Sequence, residues 1–245
     1  MTRLPRGHRI TSTLGALTLI ALAWPDLTYA AGVNLSWDDC SSAGASEKTF
    51  ACNTNTGVAV LIGSFVAPNG VTAMTAIEAT LDFWTLADSL PSWWQFTTGG
   101  CRAGRLSTSF DFASSGPSTC SDPWSGAALG GNAYVVDSPG AKHARLRLVA
   151  AVPPDRQLAL NADQEYYAFK VIITFQKTTG AGSCAGCDEP VSIALSSLTL
   201  CQAGGTNNVV LTEPALSNLA TWQGGAGSSY AHQSIYYGQI RSIFR

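Results

Sequence analysis

Cys184-Ala185-Gly186-Cys187 is the densest chemical signal in the chain, and a CxxC pair can be a redox couple, half of a zinc site or a structural disulfide. Redox work needs a stabilised thiolate, usually at a helix N-terminus, whereas Asp188, Glu189 and Pro190 follow here. Zinc needs two further ligands, and no second CxxC exists; only Cys201 with His143 or His232 offers them. A disulfide across the turn is left as the leading reading. If residues 191–200 form one strand, Cys201 lies on the order of 30 Å along it from Cys187, beyond the roughly 7 Å Cα limit of a bridge. The expectation is a Cys184–Cys187 staple, nearest-neighbour pairs Cys40–Cys52 and Cys101–Cys120, and Cys201 left over. The run from Gly180 to Ala185 has the GxGxxA form of a dinucleotide fingerprint, but that fingerprint opens a helix, and here another strand pattern follows. No cofactor and no metal are expected.

Carboxylates and histidines come next. Glu78 and Asp82 share the polar face of one strand pattern, roughly 13 Å apart, too far for the carboxylate pair of a glycosidase at about 5–9.5 Å. Asp111 completes such a pair only if its strand lies beside theirs; solvated positions are the simpler reading of all three. His143 and His232 sit in Gly/Ser/Ala-rich stretches without GxSxG or HExxH. The residues thus lean against an enzyme. The alternative kept open is a secreted glycoside-type hydrolase using surface carboxylates.

Aromatic residues allow a binding reading. Trp93 and Trp94 are adjacent in LPSWWQF, and in extended backbone they point to opposite faces, so at most one is core. Trp84, on the polar side of its strand, and Trp124, in a loop, extend the set. Exposed together, the four form a sugar-stacking platform; packed under loops, they are core.

These residues must be held by strands. Tyr166–Gln176 reads as the central one: Tyr167, Phe169, Val171, Ile173 and Phe175 fall on one side and Tyr166, Ala168, Ile172 and Thr174 on the other, with Lys170 the only charge. A strand apolar on both faces must be covered on both. Further strand patterns cover residues 33–37, 57–66, 75–85, 105–112, 144–152, 191–200 and 208–212, with Pro68-Asn69-Gly70 a turn. Residues 113–143 are rich in Gly, Ser and Pro, which predicts a long excursion with one turn near Pro123. This pattern predicts an all-β protein, a two-sheet antiparallel β-sandwich, jelly-roll or immunoglobulin-like.

The N-terminus carries Arg3, Arg6 and Arg9, an apolar run from Leu14 to Ala23, and Thr28-Tyr29-Ala30, the pattern of a signal peptide over residues 1–30. Residues 31–245 are then the single secreted domain. Its formal charge is −4, from 11 basic and 15 acidic residues, and no clustered Lys/Arg surface suits nucleic acid. No second apolar run reaches membrane-spanning length. Cysteines confined to this part agree with an oxidising compartment, extracellular or periplasmic.

LPSWWQF, Gly99-Gly100-Cys101-Arg102, the Cys120 segment, EYYAFK at residues 165–170, CAGC and TWQGG at residues 221–225 together resemble a group of secreted bacterial β-sandwich proteins to which no activity is assigned. The resemblance covers most of the mature chain, implies a bacterial exterior or periplasm, and supplies no catalytic residue. In that group a further cysteine closely follows CAGC, where this chain has Ser192, a departure that bears on the Cys184–Cys187 pairing. The sequence therefore points to an exported non-catalytic binding or structural protein, with a polysaccharide or cell-surface component as partner and a carbohydrate-binding module as the sharper form.

Overall fold

The computed structural model describes residues 30–113 and 117–224; residues 1–29 of the expected signal peptide, His232 and the end of TWQGG lie outside them. In the described residues eleven strands form two sheets that pack as a sandwich. The smaller sheet orders β1 (Gly32–Trp37), β3 (Val58–Val66), β8 (Glu165–Thr174) and β5 (Leu106–Ser109) as β1-β3-β8-β5. The larger runs β2-β11-β9-β4-β7-β6, from β2 (Glu47–Lys48), β11 (Leu219–Trp222), β9 (Val191–Gln202), β4 (Met74–Thr85) and β7 (His143–Ala151) to β6 (Leu129–Val136). β10 (Val209–Leu211) also pairs with β9. Every pairing between strands is antiparallel except β2 with β11.

β8 is buried on both faces, as its apolar sequence requires, but its faces are not those of simple alternation. The register with β3 steps from Gly63↔Phe169 to Ser64↔Tyr167, leaving Ala168 as an extra residue. Past that bulge Tyr166 stacks on Phe65 in the core, while Tyr167 stacks on Phe112 at 4.4 Å and its hydroxyl donates to Asp39. Burial, with Asp39 adding, pushes that phenol up to about 12. Gly63 is required where it stands, because an added Cβ would meet the Phe169 ring at 2.2 Å. β1 is closed at its outer edge, where residues 213–217 supply carbonyls to Val33 and Leu35 and Asn34 accepts from Leu216 and Ser217.

Two sequence expectations change. The excursion over residues 113–143 is interrupted by β6, whose LGGNAYVV sequence lacks an alternating apolar face; near Pro123 the chain makes one turn, Ala127 N–H to Trp124 C=O. All three expected pairings of cysteines are replaced by long-range ones, Cys40–Cys120, Cys52–Cys187 and Cys101–Cys184, with Cys201 free. Each bond ties a loop to one distant in sequence, 80, 135 and 83 residues away, and Cys184 and Cys187, in one loop, take different distant partners.

Candidate functional site

The aromatic residues form a core, not a surface. Trp84, Trp93, Trp94 and Trp124 are 7%, 0%, 0% and 1% exposed, so of the two readings the sequence leaves open the packed one holds for these four rings. Trp93 and Trp94 escape the opposite-face rule because Ser92–Trp94 is a 3-10 turn, not extended chain. Both rings therefore turn inward, 5.1 Å apart. Trp222 is the hub that the sequence did not single out: it stacks on Phe50 at 3.9 Å and meets Trp93 at 4.8 Å and Trp94 at 5.3 Å. Its indole N–H donates to the Cys187 carbonyl at 2.6 Å.

Arg102 is fully buried in the same cluster, its guanidinium 3.5 Å from the Trp93 ring centre. It donates to the carbonyls of Trp93 and Gln176 at 3.2 Å each, and to that of Thr174. Burial, with Arg105 adding, pulls its pKa down to about 9, so it still carries its charge at neutral pH. Three carbonyl dipoles and an aromatic face replace the carboxylate a buried cation usually finds. Bound wholly by the fold's own backbone, it is a structural staple between two disulfide-tied loops.

The three carboxylates singled out in the sequence are not brought together: Glu78 and Asp82 lie on β4 of the larger sheet and Asp111 follows β5 of the smaller. Asp82 accepts from Arg145 Nε at 2.7 Å and from Ser196 Oγ at 2.6 Å, an ion pair on the outer face of the larger sheet. Glu78 stands exposed on the same strand, and Asp111 follows β5 in the other sheet. The sulfurs of Cys40 and Cys120 lie near Glu165, but as a disulfide they are no thiolate ligands. Glu165 is already held by Asn34 and Ser64, at 2.8 and 2.7 Å.

His143 pairs across strands with Trp84 and lies near Asp82. Burial lowers its pKa, with Arg145 and Lys142 adding and Asp82 opposing. A folded-state value below the unfolded one favours neutral imidazole in the native protein. That contribution is complete above the ordinary value of 6.5 and is lost as pH falls through the folded pKa. Denaturation midpoints are expected to drop below about pH 6.5, and His143→Gln should flatten that part of the profile.

The feature without an internal purpose is the outer edge of β6. Opposed residues of an antiparallel pair alternate between bonded and non-bonded pairs. Asp137 N–H donates to the His143 carbonyl, which makes 135/145, 133/147 and 131/149 the bonded pairs. Gly130, Asn132, Tyr134 and Val136 therefore turn their amides and carbonyls away from β7, and no described residue meets them. The edge is eight residues long, against four in β5, three in β10 and two in β2. It contains no charge and no proline, the usual protections of an open edge. Leu129, Val135 and Val149 are 81%, 52% and 46% exposed, on the strand or its neighbour.

The register makes the edge separable from the fold. Asn132→Pro removes an outward N–H and the exposed donation of Asn132 Nδ2 to Thr108 Oγ1 at 2.9 Å, and is expected to lower the unfolding midpoint by less than a substitution that breaks the ladder. Ala133→Pro deletes a bond to β7 and should cost about 1–3 kcal/mol. Denaturant melts of the two variants check this.

No protein-family model matches the chain, and no curated protein matches its sequence. Among solved structures it is similar to the cohesin module of a family 33 glycoside hydrolase from Clostridium perfringens ATCC13124. The match has 11% identity, spans 78% of this chain and 94% of that one, and has a TM-score of 0.37, which carries no argument about function. No described helix is long and apolar enough to cross a membrane. Three disulfides indicate an oxidising environment.

Proposed function

We propose that this protein is an exported, non-catalytic binding module that takes an extended polypeptide segment as an added strand along β6. The observation that carries the reading is the eight-residue edge with outward backbone groups at Gly130, Asn132, Tyr134 and Val136. Strand addition satisfies those groups by main-chain hydrogen bonds, while the exposed Leu129, Val135 and Val149 supply apolar contact beside them. The signal-peptide pattern expected over residues 1–30 and the three disulfides support a setting outside the cytoplasm, with a polypeptide of the cell surface or its surroundings as partner. The burial of Trp84, Trp93, Trp94 and Trp124, and the placing of Glu78 and Asp82 in a different sheet from the strand before Asp111, favour this reading over sugar stacking or glycoside-type hydrolysis.

Selection of a random-peptide phage library on the mature chain tests the reading. Enriched peptides are expected to be strand-forming and to lose at least tenfold in affinity for Asn132→Pro. No enrichment, or peptides that bind Asn132→Pro equally well, would contradict it. Binding on a glycan array that survives Asn132→Pro would favour a carbohydrate module instead.

A further inference from the structure

Resting on that reading, the geometry points to one partner for the edge: we infer that β6 pairs antiparallel with β6 of a second copy of this chain, about a two-fold axis at Ala133, and that an incoming segment competes with this weak self-pairing. The edge is its own complement in hydrogen bonding, shape and charge.

Hydrogen bonding fixes the register. A two-fold axis normal to the sheet sets two identical strands side by side and antiparallel, with the same patch used on both molecules. Gly130, Asn132, Tyr134 and Val136, whose backbone groups face outward, must then meet outward residues of the other copy. With the axis at Ala133, Gly130 meets Val136 of the second copy and Asn132 meets its Tyr134, each pair exchanging both backbone bonds. Moving the axis one residue, to Asn132 or Tyr134, leaves Val136 or Gly130 outside the paired set. Only the register centred on Ala133 satisfies all four.

The shape of the outer face suits the same register. Tyr134 turns its hydroxyl inward to the Trp94 carbonyl, so Gly131, Ala133 and Val135 lie on the outer face. At the axis Ala133 stands opposite itself, and nothing bulky holds the strands apart. Val135 stands opposite Gly131 of the second copy, whose neighbour on β7 is Val149. A Cβ on Gly131 would meet nothing within 4 Å. Val135 of one molecule and Val149 of the other therefore border a shared apolar slot, which occurs once on each side of the axis.

Charge does not oppose the pairing. β6 itself has none. Arg147, behind Ala133, is three strand spacings from its symmetry mate, about 14 Å, beyond the screening length of about 8 Å at physiological salt. Arg145, behind Val135, is paired with Asp82. Asp137 lies just past each strand, so the two copies of it sit at opposite ends of the join, roughly 27 Å apart. Backbone bonds with small side chains bury little apolar area, which puts the contact at the low end of interface sizes and makes it weak. Dilute protein keeps the edge vacant and open to a peptide, whereas crowding of copies fills it and raises the threshold a partner segment must exceed.

Sedimentation equilibrium of the mature chain, up to about 1 mM, is expected to show a monomer–dimer equilibrium that Asn132→Pro weakens at least tenfold. A chain monomeric throughout, or a dimer that Asn132→Pro leaves intact, would overturn the inference. The register has its own readout, in a Cys201→Ser background that removes the free thiol. Residues opposed across the axis as a non-bonded pair have Cα atoms about 4.5 Å apart, within disulfide reach. Ala133→Cys is therefore expected to form linked dimers with glutathione disulfide at least tenfold faster than Gly131→Cys, whose two copies lie roughly 14 Å apart. Equal rates would overturn the axis at Ala133. Peptides selected from the library in dilute solution separate self-pairing from strand addition as such. If only self-pairing fails, peptides sensitive to Asn132→Pro still bind a chain that stays monomeric; if strand addition itself fails, no such peptide is found. Those peptides are also expected to dissociate the dimer, and a dimer that persists with them bound would place its interface elsewhere.

Discussion

Trp222→Ala is expected to destabilise the domain by about 3–5 kcal/mol, the range for removing a large buried aromatic side chain. Trp222 is fully buried and touches Phe50, Trp37, Trp93, Trp94 and Phe175, so truncation leaves a cavity walled by those five rings. The Cys187 carbonyl also loses its indole donor. Denaturant unfolding with disulfides intact measures the loss, and Trp222→Phe should recover part of it by refilling the cavity. Peptide affinity, scaled to the folded fraction, should be unchanged, because β6 lies at the far side of the sheet. A variant with unaltered stability would show that the aromatic cluster does not hold this end of the sandwich together.

Loss of the Cys52–Cys187 disulfide is the second large effect, expected at about 2–5 kcal/mol in a Cys52→Ala/Cys187→Ala protein. The two residues are 135 apart in sequence, so the bond restrains a long loop of the unfolded chain. It also anchors the segment on which the aromatic cluster rests: Gln223 donates to the carbonyls of Phe50 and Cys187, on both sides of the bridge. Thermal and denaturant midpoints of the double variant measure the cost. Non-reducing peptide mapping of the unmodified chain should recover Cys40–Cys120, Cys52–Cys187 and Cys101–Cys184; a peptide linking Cys184 to Cys187 would contradict the fold of that loop.

Strand positions were legible wherever side chains alternate or are apolar throughout. β3, β4, β7, β8 and β9 fall close to their sequence patterns because period two and β-branched content are local properties. β6 was hidden because Leu-Gly-Gly-Asn carries no alternation; it is a strand by virtue of β7 beside it, a tertiary cause. The faces of β8 were misread past Ala168 because a bulge leaves no trace in composition. Disulfide partners were illegible for a related reason: they depend on which loops meet at the ends of the sandwich, whereas sequence offers only separation.

The tryptophans show the same limit from the other side. Reading Trp93 and Trp94 as extended chain sends one of them outward, and a single 3-10 turn is enough to bury both. Arg102 looks like a surface cation in sequence and is instead clamped between Trp93 and three carbonyls. The candidate site was missed because it consists of backbone: an open edge has no motif, and its signal is the lack of charge or proline in a strand that, among the described residues, is paired on one side only.

The most direct test of the binding edge is residue-resolved amide exchange on the mature chain in dilute solution, alone and with a library-selected peptide. Asn132 and Tyr134 amides should exchange fast alone and at least tenfold more slowly with peptide, while Gly131, Ala133 and Val135, bonded to β7, stay slow throughout. Fast exchange at Asn132 that the bound peptide leaves unchanged would place binding elsewhere and contradict strand addition at β6.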